Sequence, residues 1–426
     1  VSTRTSPDQA VARHGWVEAV VTVLAGVAVM VVVAALGLWA AGATDLPEGA
    51  FPRVVLATVV AAVGGSVEFA GNAGALAETQ ANLTVLPLSV ALAGVLVIAA
   101  GFLRPLRHRA VAGAPELAGW AARIAVVWFL ALIALSLPAR QTFDISLGED
   151  GLGDIGDLFG DVASPRVGFE ADVPVTLFFG LLWLAGVLVL ALLVSRKAPL
   201  PARLLRFQES VRPAAFAMVV LLLAYVVLGL VIALVVAATR GYAVETFALI
   251  LLGLPNLVWL TFTVGLGASW EGRVDGPFGL PMPRLLDLVM RTPDISRLDL
   301  RTLAEHDGRV WWLVVVNAVL LLAAAFLMAA RSPARTRLWQ HALHMAVALA
   351  LTVLAVCLVG KISAHYGLSF LGIGDLGGGL SGDLLLRPRL WTALGFAALW
   401  GLVAGFLGGL LAWRVHRRGE VASTRL

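Results

Sequence analysis

Apolar residues run along this chain in long blocks separated by short polar clusters. A helix needs about 20 apolar residues to cross ~30 Å of hydrocarbon, so a block of that size predicts a spanning helix. Eight blocks qualify: 18–41, 84–103, 120–137, 173–194, 213–238, 311–330, 341–359 and 390–413. The first is followed by no small-residue cleavage pattern and is expected to stay in the membrane as a span. Two further runs, 51–69 and 247–267, are interrupted by Gly64-Gly65 and by Gly253-Leu254-Pro255-Asn256, where proline removes an amide donor.

Arginine decides how these two runs are read. Clusters stand at Arg104/Arg107/Arg109, Arg196/Lys197/Arg203/Arg206, Arg331/Arg335/Arg337 and Arg414/Arg417/Arg418, with Arg4 and Arg13 ahead of the first span. Positive charge next to spans is retained in the cytoplasm, so all five groups belong on one side. Full crossings by both interrupted runs would put successive clusters on opposite sides. Each run is therefore read as a re-entrant or interfacial hairpin on the outer face, with an ordinary kinked span as the alternative; irregular backbone at that depth needs protein or a wet cavity around it. The expected fold is all-α and integral to the cytoplasmic membrane, with eight transmembrane helices and both termini in the cytoplasm.

Composition agrees with lipid as the main solvent: 60% of residues are hydrophobic and 14% charged. The basic pI of about 9.8 does not indicate nucleic acid, because the arginines cap apolar runs instead of forming a soluble basic domain. Lys197 and Lys361 are the only lysines, and the one cysteine, Cys357, excludes an internal disulfide or a Cys-built metal site.

The chain also reads as a duplication. Gly64-Gly65-Ser66-Val67-Glu68 answers Gly267-Ala268-Ser269-Trp270-Glu271, Pro105 to Arg109 answers Pro333 to Arg337, Trp120 answers Trp339, and Gly151-Leu152-Gly153-Asp154 answers Gly372-Ile373-Gly374-Asp375. Four spans per half give both copies the same orientation, which predicts parallel repeats about a pseudo-twofold axis along the membrane normal. The predicted organisation is a polar N-terminal segment (1–15), a first membrane repeat (16–194), a cytoplasmic linker (195–212), a second repeat (213–413) and a cytoplasmic tail (414–426).

Four segments carry a family resemblance: Val85 to Val90, Gly101 to Arg107, Leu254 to Trp259 and Gly276 to Met282-Pro283. In them, and over nearly its whole length, the chain resembles the streptophobe family of multi-pass membrane proteins. The resemblance implies membrane location and carries over no catalytic residue.

Candidate chemistry is sparse. Polar groups beside the interrupted runs are costly in hydrocarbon unless they face an interior, which makes Glu68, Glu271, Asn256 and Asn317 candidate cavity-lining residues. The bland reading places the two glutamates at a hydrated outer interface. Asp154 and Asp375 in the paired GxGD strings are candidates for a proton-sharing dyad of an intramembrane aspartyl hydrolase, although both fall in polar loops. The acidic stretch 141–172 could gather a small solute or cation, or simply be solvated. His341 and His344 share a helix face but lack a third ligand. No nucleotide loop, haem motif or metalloprotease helix occurs, so no catalytic, cofactor-binding or metal-ligating residue is assigned. The expected function is transporter-like or channel-like for a small solute or ion. The alternatives are a non-catalytic scaffold or sensor that binds a protein partner, and the hydrolase.

Overall fold

The computed structural model describes residues 7–46, 49–72, 77–106, 114–144, 166–195, 202–274, 290, 296–333, 336–370, 373–375 and 382–413. The apolar blocks form helices: α1 (Pro7–Ala40), α2 (Ala50–Ala62), α3 (Leu88–Leu106), α4 (Ala114–Ser136), α5 (Val173–Val194), α6 (Ala202–Arg240), α7 (Ala243–Gly265), α8 (Leu300–His306), α9 (Trp312–Arg331), α10 (Leu338–Val359) and α11 (Leu390–Ala412). Among the described residues, nine helices are long and apolar enough to cross a membrane. Large apolar side chains such as Phe178, Val231 and Leu351 stand exposed on their outer faces, as lipid contact requires. The chain is thus an all-α multi-pass membrane protein.

The loops on one side of the helical layer form a sheet that the apolar runs did not predict. Among the described residues, nine strands, β1 (Val67–Asn72), β2 (Ala77–Thr84), β3 (Arg140–Asp144), β4 (Arg166–Ala171), β5 (Trp270–Val274), β6 (Ser296–Leu298), β7 (Ile362–Phe370), β8 (Ile373–Asp375) and β9 (Gly382–Pro388), make one antiparallel sheet. Its order is β3-β4-β1-β2-β7-β9-β5-β6, with β8 paired to β7. The sheet collects one end of nearly every helix, so the helical layer has a sheet side and an opposite side. The opposite side carries Arg104, Arg331 and Arg337 at helix ends.

Both interrupted runs differ from the expected helical hairpins. Run 51–69 is one short helix, α2, that leaves through Gly64 at φ 91° and continues as β1. Run 247–267 lies in a single unbroken helix, α7, leaving through Gly267 at φ 101° into β5. These left-handed conformations favour glycine, which has no Cβ to clash. Pro255 lies inside α7 without ending it: its ring holds φ at a helical value, while the amide bond to the Leu251 carbonyl is lost and that carbonyl is crowded by the ring.

Parity then settles how the chain passes through the helical layer. α1 runs antiparallel to α3, with Gly26 against Ile98 and Gly94 against Met30, so α1 rises to the sheet side and α2 ends there too. α6 begins on the opposite side, where Val219 shares a crevice with Leu103 and Val194, and α7 delivers the chain to β5. The α6–α7 pair therefore makes one net traverse, as α1–α2 does, although α7 alone is long enough to span.

Two hydrophobic cores divide the protein between residues 19–191 and 214–404. Strands occupy matching places in the two halves: β1 and β5 follow α2 and α7, β3 and β7 follow α4 and α10, and β4 and β9 precede α5 and α11. A twofold axis normal to the sheet would mirror the strand order and reverse the direction of matching strands. Instead the sheet reads β3-β4-β1-β2 and then β7-β9-β5-β6, and matching strands run the same way. Four spans per half fix the orientation of each half in the membrane but leave the rotation about the normal undetermined.

Candidate functional site

The sheet does not sit flush on the helices. Between them lies an open cavity of about 520 Å³. Its helical wall comes from Leu38 of α1, Val54, Ala57 and Ala61 of α2, and Leu249, Leu252, Leu257 and Leu260 of α7. The roof is built from every second residue of the strands, because side chains alternate across a sheet. Val67 of β1, Phe169 of β4, Trp270 of β5, Ile362 of β7, and Leu384 and Leu386 of β9 face inward. Both halves contribute, so the cavity lies on the seam between the two cores.

Polar side chains at the wall are already engaged. Thr58 Oγ1 donates to the Val54 carbonyl at 2.8 Å, within its own helix. The Asn256 amide is used at both ends: Oδ1 accepts from the Leu88 amide at 3.1 Å, and Nδ2 donates to the Leu86 carbonyl at 2.8 Å. Ser89 Oγ donates to the Ile250 carbonyl at 2.8 Å beside it. The Asn256 bonds satisfy the Leu86 carbonyl of the non-helical stretch 85–87 and the first amide of α3, where irregular backbone stands against apolar helices. Indole groups are likewise occupied, Trp270 Nε1 donating to Thr263 Oγ1 at 3.0 Å and Trp259 Nε1 to the Leu222 carbonyl at 3.2 Å. What remains towards the cavity is hydrocarbon and aromatic surface.

The four candidate lining residues separate. Asn256 lines the cavity. Asn317 is buried elsewhere, in the second core, where it accepts from the Tyr225 hydroxyl and donates to the Phe262 carbonyl at 3.0 Å. Glu68 and Glu271 follow the inward-facing Val67 and Trp270 by one residue, so strand alternation turns them to the outer face of the sheet. There Glu271 accepts from Arg389 Nε at 2.7 Å, with both side chains substantially exposed. The expectation that the two glutamates line a vestibule took their segments to be hairpin helices; as strands they present opposite faces at successive residues.

Asp154, the acidic stretch 145–165 and the end of the first GxGD string lie outside the described residues, and Asp375 is placed only as a β8 backbone position opposite Ser369. Asp172, at the end of that acidic stretch, caps α5 by accepting from the Val175 amide at 3.0 Å. His341 is buried against Gly405 and Gly409 of α11, and among the described residues no group of three or more His, Cys, Asp or Glu could hold a metal. The cavity residues that sequence reasoning missed are Phe169, Trp270, Leu384 and Leu386. A period-two pattern marks them, most clearly in Trp270-Glu271-Gly272-Arg273-Val274, whose odd members are buried. No family model, no curated protein and no solved structure matches the chain.

Proposed function

We propose that this is a transporter-like membrane protein whose cargo is an apolar, chain-bearing molecule of the acyl or isoprenoid class, held between the helices and the sheet. The observation that carries this reading is the cavity: a volume in the range of small-molecule sites, with walls of Leu, Val, Phe and Trp and with its polar groups already hydrogen-bonded. An ion entering it would lose hydration without replacement, at a cost of tens of kcal/mol in a dry apolar medium. A hydrocarbon chain leaving the bilayer loses almost nothing, since the lining is as apolar as lipid. The ion-channel alternative is therefore the weaker one for this cavity. Positive-inside bias supports placing Arg104, Arg331 and Arg337, and with them both termini, in the cytoplasm and the sheet outside. Membership of the streptophobe family is proposed on the sequence segments alone.

The test is to load the purified protein with a pyrene-labelled fatty acid and to compare Ala61→Trp and Leu252→Trp, which fill the cavity from α2 and α7. Binding should fall at least tenfold in both, and lipid co-purifying with the native protein should be lost. Unchanged binding in two folded variants would remove the proposal.

A further inference from the structure

The cavity between helices and sheet is closed in one place and open in the next. Gly37 of α1 packs on α7 so closely that a Cβ there would lie 2.7 Å from Leu252 Cγ and 3.1 Å from Leu251 Cβ. One turn further on stands Ala41, whose amide donates to the Gly37 carbonyl at 3.0 Å, and one turn back from Leu252 in α7 stands Ala248. Both alanines line the cavity, each with a single methyl. Among the described lining residues Ala41 alone is exposed. The next residue, Gly42, turns the chain away at φ 81°, and a Cβ on it would meet nothing within 4 Å. A seal at Gly37 is thus followed directly by a mouth at Ala41.

The surroundings of this mouth tell which phase it meets. The apolar stretch Gly15–Ala40 ends one residue before Ala41, which sets the mouth at the sheet-side border of the hydrocarbon. Leu36 and Trp39 of α1, Tyr242 at the start of α7, and Val244 and Phe247 within it are all exposed. In water such a surface would invite association, whereas against lipid it is ordinary, and Trp and Tyr favour the membrane border, where a ring meets hydrocarbon at one end and water at the other. Charged residues beside lining positions do not reach into the cavity. Arg387 follows the inward Leu386 and shares the outer face of the sheet with Glu271 opposite it. Arg53, beside Val54, donates to the Arg140 carbonyl at 3.3 Å.

We propose that the cargo is taken directly from the sheet-side leaflet: a membrane lipid feeds one acyl or isoprenoid chain past Ala41 into the cavity and leaves its head group at the bilayer border. This rests on the chain-binding reading of the cavity and adds to it the source and the orientation of the cargo. A chain that passes from lipid through an apolar mouth is never exposed to water, the step that makes lipid desorption costly. Entry through the sheet would instead cross its outer face, where Glu68 and Glu170 stand opposite one another and Glu271 opposite Arg387. Selectivity then falls on the chain, because the head group enters no part of the cavity.

The full-length protein is reconstituted into phosphatidylcholine vesicles, pyrene-labelled fatty acid is added, and its uptake is followed by pyrene monomer emission, which rises as the probe leaves the lipid for an isolated site. Ala41→Trp narrows the mouth at an exposed position, so it should fold as wild type on size exclusion, with Ala41→Ser as the control of ordinary size. Uptake by Ala41→Trp should slow about tenfold while affinity stays within about threefold of wild type, since a narrowed entrance slows entry and exit alike. Phosphatidylcholine with pyrene on one chain, built into the vesicles, should give the same signal at equilibrium, and Ala61→Trp should abolish it. Wild-type uptake by Ala41→Trp overturns the mouth. So does a loss of affinity in it as large as that of Ala61→Trp, which would make Ala41 part of the wall. A signal from the fatty acid but none from the phosphatidylcholine overturns the leaflet as the source. Failure of the chain-binding reading itself looks different: wild type then gives no signal with either probe, and both proposals fall.

Discussion

Asn256 of α7 and Leu88 at the start of α3 are joined across the seam between the two halves, the side-chain oxygen of one accepting the backbone amide of the other at 3.1 Å. Together with the bond to the Leu86 carbonyl, this fixes a stretch of the cavity wall that has no regular structure. Replacing Asn256 by Leu keeps the volume and leaves an amide and a carbonyl unsatisfied. The expected loss is about 2 kcal/mol. It should appear as a lower melting temperature in detergent, with a larger fall in chain binding than in stability.

Tyr225, Asn317 and the Phe262 carbonyl tie α6, α9 and α7 together inside the second core. Tyr225→Phe should cost about 0.5–1.5 kcal/mol, the scale of single polar contacts between membrane helices. Asn317→Leu should cost more, because the position of a Cβ on Gly265 lies 2.5 Å from Asn317 Nδ2 and allows no bulkier neighbour. A double-mutant cycle should show the two losses to be less than additive.

Gly401, Gly405 and Gly408 set the approach of α11 to its neighbours. A Cβ on Gly405 would lie 2.8 Å from Ala342 Cα of α10, and one on Gly408 would lie 2.6 Å from the Ala325 carbonyl carbon of α9. Small residues let membrane helices touch along their backbones. Gly405→Leu should abolish accumulation of folded protein. Gly395→Ala, on the same helix but with nothing within 4 Å, should be neutral or gain up to ~1 kcal/mol of helix propensity. Equal behaviour of the two variants on size-exclusion profiles would contradict this packing.

Glu271 and Arg389 form a well-aligned pair on the outer face of the sheet, yet both side chains are more than a third exposed. Such pairs contribute about 0–1 kcal/mol. Glu271→Gln should lower thermal stability by no more than that, with the difference vanishing in high salt, and should leave binding in the cavity unchanged. A loss of cargo binding at native stability would return Glu271 to the site.

Arg301 of α8 lies on the sheet side and Arg337 on the opposite side. Cysteines introduced at these two positions in a Cys357→Ala background should react with an impermeant maleimide from opposite faces of the membrane. Labelling from one face only would break the crossing of α9 from the sheet side to the opposite side.

Much of the helical layer was legible in the sequence because the bilayer sets one length scale, and runs such as 173–194 and 390–413 meet it within a residue or two of α5 and α11. The sheet was not, for a local reason. Its described strands are 3–9 residues long and sit in loops already accounted for by their charge and glycine, so the alternation in Trp270 to Val274 carried little weight beside the apolar runs. That also misplaced Glu68 and Glu271, whose direction depends on whether their segment has a period of 2 or of 3.6. Asn256 was found because a polar residue in an apolar run must have a partner; the partner itself, backbone from the other half, leaves no mark in sequence.

The central joint of the sheet also imposes a schedule on biogenesis. β2 is complete once Thr84 has been made, but its second neighbour, β7, begins at Ile362. Until seven more long helices have been made, the strand that pairs with that edge of β2 has not been synthesised. Chains stalled or truncated before residue 362 would carry an exposed edge strand, the feature most prone to pair with another nascent chain.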